Sequence, residues 1–309
     1  MVAALAFVAL ASPAVAGGGA QGLDYVALGD SVAAGRGLGD TGGLCRRSPR
    51  AYPRLVLREL RQRVAGAVRF ASVACSGATA GVADAPGLRS LRRQVTAALE
   101  RLSGGRALAT VTVGINDFEW SDIPRTYLRL REPQALFDSW LAARASDVER
   151  ALRTQLARLL SRRGVRVVAT GYFNPVNRES VLFAGPVPCL SAAACLARTD
   201  AIVDAVNASI RAAVRGLRQR ARVKVVSLRA GFRGHESPSP RCGNAPPAVA
   251  STWIQHPDDQ ASNSFPLADF PELVPLLGSG WRGDCFHPND AGAAFIAGEV
   301  ARAARGLGR

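Results

Sequence analysis

The stretch Tyr25-Val26-Ala27-Leu28-Gly29-Asp30-Ser31-Val32 decides how this chain is read. Its four leading residues make a short buried strand, and Gly-Asp-Ser follows where that strand ends. A serine so placed stands at the carboxyl edge of a sheet, the edge where open α/β folds bind their ligands. It does chemistry only if the chain also supplies a base and donors for an oxyanion.

Beyond this stretch, apolar runs alternate with helical patterns. Val68–Val73, Leu108–Val113, Val165–Thr170 and Val223–Leu228 read as further strands. Helices are expected over Tyr52–Val64, Leu88–Leu102, Asp147–Arg163, Thr199–Arg220 and Asn289–Arg305, from apolar residues at helical spacing and from glycines at their ends. Near-continuous apolar strands separated by helices predict an α/β fold with a parallel sheet covered on both faces. Two long irregular stretches, Tyr172–Arg198 and Arg229–Asp284, interrupt the alternation, and each holds cysteines. Loops of that length are usually functional or tied down.

Residues 1–20 read differently. Val2–Leu10 has the length of a signal-peptide apolar region, and Ala14-Val15-Ala16 supplies a small-x-small cleavage pattern. A signal peptide over 1–20, cut after Ala16 or Ala20, and a single domain over 21–309 are therefore expected, with a secreted product. The run is too short to span a bilayer, and no later segment is apolar enough to do so. The six cysteines, Cys45, Cys75, Cys189, Cys195, Cys242 and Cys285, agree with export. None forms a Cys-x-x-Cys pair, which argues against zinc.

The net charge is +15, carried almost wholly by arginine; Lys224 is the single lysine. The arginines lie on helical faces, as in Arg58-Glu59-Leu60-Arg61-Gln62-Arg63, and aromatic residues are 6% of the chain. A nucleic-acid platform interleaves the two, so no nucleic-acid partner is expected. A diffusely basic surface with weak attraction to anionic surfaces fits better.

Candidates for base and oxyanion donors lie at other strand ends. His287 sits in Asp284-Cys285-Phe286-His287-Pro288-Asn289, where Asp284 can accept from Nδ1 and leave Nε2 to take a proton from serine. His235 and His256 lie in the second long loop without such a pattern and read as surface histidines. Strand two runs into Cys75-Ser76-Gly77-Ala78-Thr79, and strand three into Gly114-Ile115-Asn116-Asp117. The Gly77 N–H, the Asn116 amide and the Ser31 N–H form one set of donors for a tetrahedral oxyanion. Taken singly, each of these residues is ordinary turn chemistry.

The four blocks in this order resemble the SGNH hydrolases, also called GDSL esterases and lipases, over roughly residues 23–305. The resemblance implies a flavodoxin-like three-layer α/β/α sandwich with a five-stranded parallel sheet. It also implies ester hydrolysis through an acyl-enzyme. Ser31 would be the nucleophile and His287 the general base and acid; Asp284 would orient His287, and Gly77 and Asn116 would complete the oxyanion hole. In some members of the secreted bacterial branch, a main-chain carbonyl takes the place of that aspartate. Asp30 and Asp117 fall within the family's motifs and read as structural. Sequential pairing of the cysteines, Cys45–Cys75, Cys189–Cys195 and Cys242–Cys285, is favoured, and the same branch implies it.

No metal or organic cofactor is expected, and the chain is expected to act as a monomer on an ester or lipid substrate. Phe173, Phe183, Trp253, Phe265 and Trp281 either line an acyl groove or form core beneath the long loops. Two alternatives stand beside the esterase or lipase: an O-acetyl esterase acting on polysaccharide, and a non-catalytic basic protein that binds cell-envelope polymer.

Overall fold

The computed structural model describes residues 22–39, 41–81, 87–120, 123–176, 191–236, 253–254 and 287–307. Five strands, β1 (Leu23–Gly29), β2 (Val68–Ser72), β3 (Ala107–Thr112), β4 (Val165–Thr170) and β5 (Val223–Val226), form one all-parallel sheet in the order β2-β1-β3-β4-β5. β1 and β3 are buried along their whole length, whereas the edge strand β2 is mostly half-buried. That contrast explains why the central strands read as unbroken apolar runs.

The helices are α1 (Ser31–Ala34), α2 (Tyr52–Arg63), α3 (Leu91–Glu100), α4 (Ile123–Arg129), α5 (Gln134–Leu160), α6 (Ala192–Arg215) and α7 (Asp290–Arg305). α2 and α7 pack together on one face of the sheet; α3, α5 and α6 pack on the other. The result is the expected three-layer sandwich. This strand order places its topological switch between β1 and β3, because the chain leaves β1 toward β2 and returns to the far side at β3. Ser31 follows β1 and Asn116 follows β3, so both sit at that switch.

Two helices are longer than the sequence suggests, and one short helix was not anticipated. α5 begins at Gln134 and not at Asp147. Between the buried anchors Phe137 and Val148, its side chains are at most half-buried, so the apolar repeat that marks a helix is weak there. α6 begins at Ala192, where the Ser191 hydroxyl accepts from Ala194 N, and so takes in the end of the first expected loop. α4 lies in the stretch between Asn116 and α5 that carried no helix signal.

Cys45 and Cys75 form a disulfide across 30 residues. Cys75 is fully buried at the end of β2, and Ser76 N donates to Cys45 O at 3.1 Å. The bridge fastens the loop after α1 to the Ser76-Gly77 block. Cys195 is buried and disulfide-bonded; its expected partner Cys189, with Cys242 and Cys285, lies outside the described residues, as do residues 1–20. Among the described residues, no helix is long and apolar enough to cross a membrane. Closing a loop of this size restricts the unfolded chain by roughly 3–4 kcal/mol. A Cys45→Ala/Cys75→Ala double variant should therefore lose about that much stability in denaturant unfolding under oxidising conditions. An unchanged midpoint and slope would show that the bridge adds nothing.

Candidate active site

The end of β1 is held more tightly than any turn preference requires. Gly29 has φ 140°, and a Cβ there would lie 2.2 Å from Thr112 O on β3. Only glycine fits such a close backbone approach. Its peptide is gripped by Gln94 of α3, which is fully buried: Gly29 N donates to Gln94 Oε1 at 2.7 Å, and Gln94 Nε2 donates to Gly29 O at 2.9 Å. Asp30 N then donates to Thr112 O at 2.8 Å. The chain turns at once into α1, whose N-cap is Asp30, with Oδ1 accepting from Val32 N at 2.9 Å.

Ser31 is the first residue of α1 and is 6% exposed. Its N–H is one of the donors that a helix start leaves unused. Gly77 lies at the end of β2 with φ 76°, in the left-handed region that favours glycine. Among the described residues, neither the Ser31 N–H nor the Gly77 N–H donates to a protein acceptor. Asn116 lies in the turn Ile115–Phe118 after β3, and one of its amide hydrogens goes to Ala78 O at 3.0 Å. That bond holds the amide against the Ala78-Thr79 peptide, next after Gly77, and leaves its second hydrogen to donate. The three residues read from sequence as candidate oxyanion donors thus follow three neighbouring strands, β2, β1 and β3.

Asp117, read from sequence as structural, joins two of these ends. Its Oδ2 accepts from Ala80 N at 2.8 Å and its Oδ1 from Gly81 N at 2.6 Å. Asp30 is more than a cap. It is fully buried, and Tyr172 OH donates to its Oδ2 at 2.5 Å. Burial pushes the Asp30 carboxyl up to about 6, partly offset by the bonds from Tyr172 and Val32 and by the charge of His287, and reinforced by Asp117. Below Asp30, Tyr52 OH on α2 bonds Thr112 Oγ1 at 2.7 Å, and Thr112 Oγ1 bonds Thr170 Oγ1 at 2.7 Å. This buried hydroxyl line crosses the sheet beneath the site, and burial drives the Tyr52 phenol up to about 12.

The segment of His287 is held by a separate construction. Pro288 pairs with Ile254 in an antiparallel bridge, Asn289 N donates to Trp253 O at 2.9 Å, and Asn289 Oδ1 caps α7 by accepting from Gly292 N at 3.0 Å. Trp253 in turn belongs to an aromatic cluster. Phe173 stacks on Phe232 with centroids 3.8 Å apart; Trp253 and Phe295 meet Phe232 edge-on. Phe173 is therefore core and Trp253 is half-buried against it, beside the segment that carries His287; Phe183, Phe265 and Trp281 lie outside the described residues. His235, expected on the surface, is half-buried and stacked on Trp253 at 3.6 Å. Asp284 and His256 lie outside the described residues. A final link, Arg50 Nη1 to Asp290 Oδ2 at 2.5 Å, joins the nucleophile loop to the first residue of α7. Both partners are more than half exposed, so this pair adds little stability.

Sequence reasoning missed Gln94, Tyr172 and Asn207. Tyr172 follows β4 at the same carboxyl edge as the other candidates, and that rule alone points to it. Gln94 and Asn207 lie within helical patterns, where nothing local marks a buried amide that grips a strand end.

A flavodoxin-like sheet with a Gly-Asp-Ser turn at its switch point, an oxyanion-type set of donors and a histidine ahead of the last helix defines a class of hydrolase. The model of the GDSL-like lipase/acylhydrolase family matches residues 27–295, and the chain belongs to that family of ester hydrolases. A lipase of Streptomyces rimosus is 35% identical over 119 residues, which is 38% of this chain and 38% of that protein. The crystal structure of an extracellular lipase from Streptomyces rimosus matches with a TM-score of 0.55 at 22% identity, covering 91% of this chain and 99% of that one. Phospholipase A1 from Streptomyces albidoflavus NA297 matches with a TM-score of 0.51 at 21% identity, covering 91% and 98%. At those identities the structural likeness is one of fold.

The Asp30 carboxyl carries a pH signature. Its folded value of about 6 lies above the ordinary 3.8, so the folded state holds the proton more tightly than the unfolded chain. Stability is then fullest below about pH 4 and declines as pH rises through 6. The difference amounts to about 3 kcal/mol. Asp30→Asn keeps the cap and removes the charge. Its stability relative to wild type should rise by about that amount between pH 4 and 7 in urea unfolding. A difference that stays flat with pH would contradict the assignment.

Proposed function

We propose that the protein is a secreted serine esterase or lipase that cleaves carboxylic esters through an acyl-enzyme on Ser31. The observation that carries this reading is the convergence of Ser31 and two oxyanion donors on adjacent strand ends, with the Asn116 amide fixed on Ala78 O. His287, in the segment pinned ahead of α7 by the Pro288–Ile254 bridge and the Asn289 N to Trp253 O bond, is assigned the base.

In this mechanism His287 takes the Ser31 proton as Oγ attacks the ester carbonyl. The Ser31 and Gly77 N–H groups and the Asn116 amide hold the developing oxyanion. His287 then gives the proton to the departing alcohol, leaving an acyl ester on Ser31. Water repeats the sequence, losing a proton to His287 as it attacks, and the serine is regenerated. Asp284 is assigned the orientation of His287. Nothing in these steps calls for a metal or organic cofactor.

For the substrate, a lipase or medium-chain esterase is favoured over an O-acetyl esterase, because the similar Streptomyces rimosus protein is a lipase. Export rests on residues 1–20 as a signal peptide and on the Cys45–Cys75 bridge, which suits an oxidising compartment.

Residues 21–309, prepared with oxidised cysteines, should hydrolyse p-nitrophenyl esters and lose that activity in Ser31→Ala. Asn116→Ala should fold normally and lose about 10²–10³-fold in kcat. Along an acetate, butyrate, octanoate and palmitate series, the rate should peak beyond acetate. A peak at acetate would favour the O-acetyl esterase. A folded protein with no turnover on these esters or on acetylated polysaccharide would favour the binding protein.

A further inference from the structure

Asp30 does two things for Ser31, and Tyr172 governs both. One carboxylate oxygen caps the helix that Ser31 begins; the other receives the Tyr172 hydroxyl. Tyr172 reaches Asp30 from β4, across the intervening strand β3. Its own backbone does not move freely. Tyr172 N donates to Asn207 Oδ1 at 2.7 Å, and Asn207 Nδ2 donates to Tyr172 O at 2.9 Å, so α6 grips the end of β4 much as α3 grips the end of β1. A Cβ at Gly171 would lie 2.6 Å from Asn207 Oδ1, which shows how closely helix and strand end approach. The Tyr172 ring is 3% exposed, so its hydroxyl does not serve solvent.

We propose that Tyr172 is a positioning residue for the nucleophile: through Asp30 it fixes the direction of Ser31. The proposal rests on the reading of Ser31 and His287 given above.

The groups that face Asp30 are Tyr172 from the end of β4, Tyr52 from α2, Asp117 from the turn after β3, and His287 ahead of α7. Burial and Asp117 favour the protonated carboxyl; the hydroxyl of Tyr172, Val32 N–H and the charge of His287 favour the carboxylate. Without the Tyr172 hydroxyl, the second Asp30 oxygen loses its partner, and the carboxylate is free to turn away from the α1 cap.

Tyr172→Phe removes the hydroxyl and keeps the ring. It should lower kcat on a p-nitrophenyl ester by about 10- to 100-fold, the scale of a slightly misplaced nucleophile, with KM within about twofold. In an Asp30→Asn background, where the charged acceptor is already gone, the same change should lower kcat by less than about threefold. Thermal unfolding and near-ultraviolet circular dichroism report whether each variant is folded. If Tyr172→Phe does not fold, Asp30→Asn stands in, with a lowered kcat as the expected result and wild-type kcat as the refuting one. A folded Tyr172→Phe with wild-type kcat overturns the proposal. An equal loss of kcat in the Asp30→Asn background also overturns it, because Tyr172 would then act other than through Asp30. Should Ser31→Ala be inactive while Tyr172→Phe is unaltered, only the positioning role falls. Activity that survives in Ser31→Ala removes both readings together.

Discussion

The approach of Gly29 to Thr112 O is the constraint on which the rest of the site depends. At that point two parallel strands run so close that no side chain fits between them. The glycine lets β1 end abruptly, Gln94 saturates its peptide, and Asp30 N closes on β3. Ser31 is thereby placed at the first turn of a short helix over the topological switch, not on a mobile loop. Every donor in the candidate oxyanion set is then referred to the same rigid edge. Gly77 hangs from β2, Asn116 from β3, and Asp117 stitches the two together.

The histidine side is built on different physics. Where the nucleophile depends on backbone fit and buried amides, His287 depends on hydrophobic packing. Phe173, Phe232, Trp253 and Phe295 form an apolar platform, and the segment before α7 is hydrogen-bonded onto Trp253 and Ile254. Phe173 comes directly after Tyr172 on the way out of β4, so a single strand end serves both halves of the site. One side of that connection reaches the cap of α1 through Asp30, and the other packs beneath the segment that carries His287. The charges gather where the two halves meet, and the elevated Asp30 carboxyl is a consequence of burying an acid there. That burial costs stability at neutral pH, as expected where a site holds a charge that its surroundings disfavour.

Much of this was legible because it is local. A strand that is apolar throughout and stops at Gly-Asp-Ser or Gly-Ile-Asn-Asp declares both its burial and its end, and the carboxyl-edge rule does the rest. β4 is found where it was expected, and the sheet is the expected five-stranded one. What escaped depends on contacts distant in sequence. Gln94 grips a peptide 65 positions away and Tyr172 an aspartate 142 positions away. Neither partner alters its own neighbourhood in a way that a pattern of apolar residues registers. The first half of α5 escaped for a different reason: it buries few side chains fully between Phe137 and Val148, and periodicity reports burial more faithfully than it reports helix.

The central claim is that Ser31 is the atom-transferring group of this fold. The most direct test is to treat the disulfide-bonded protein with a fluorophosphonate ester and map the modified peptide by mass spectrometry. The account requires one phosphonyl group per chain, located on Ser31, with activity lost in proportion. A label on any other side chain, or full ester hydrolysis by protein whose Ser31 stays unmodified, would contradict it.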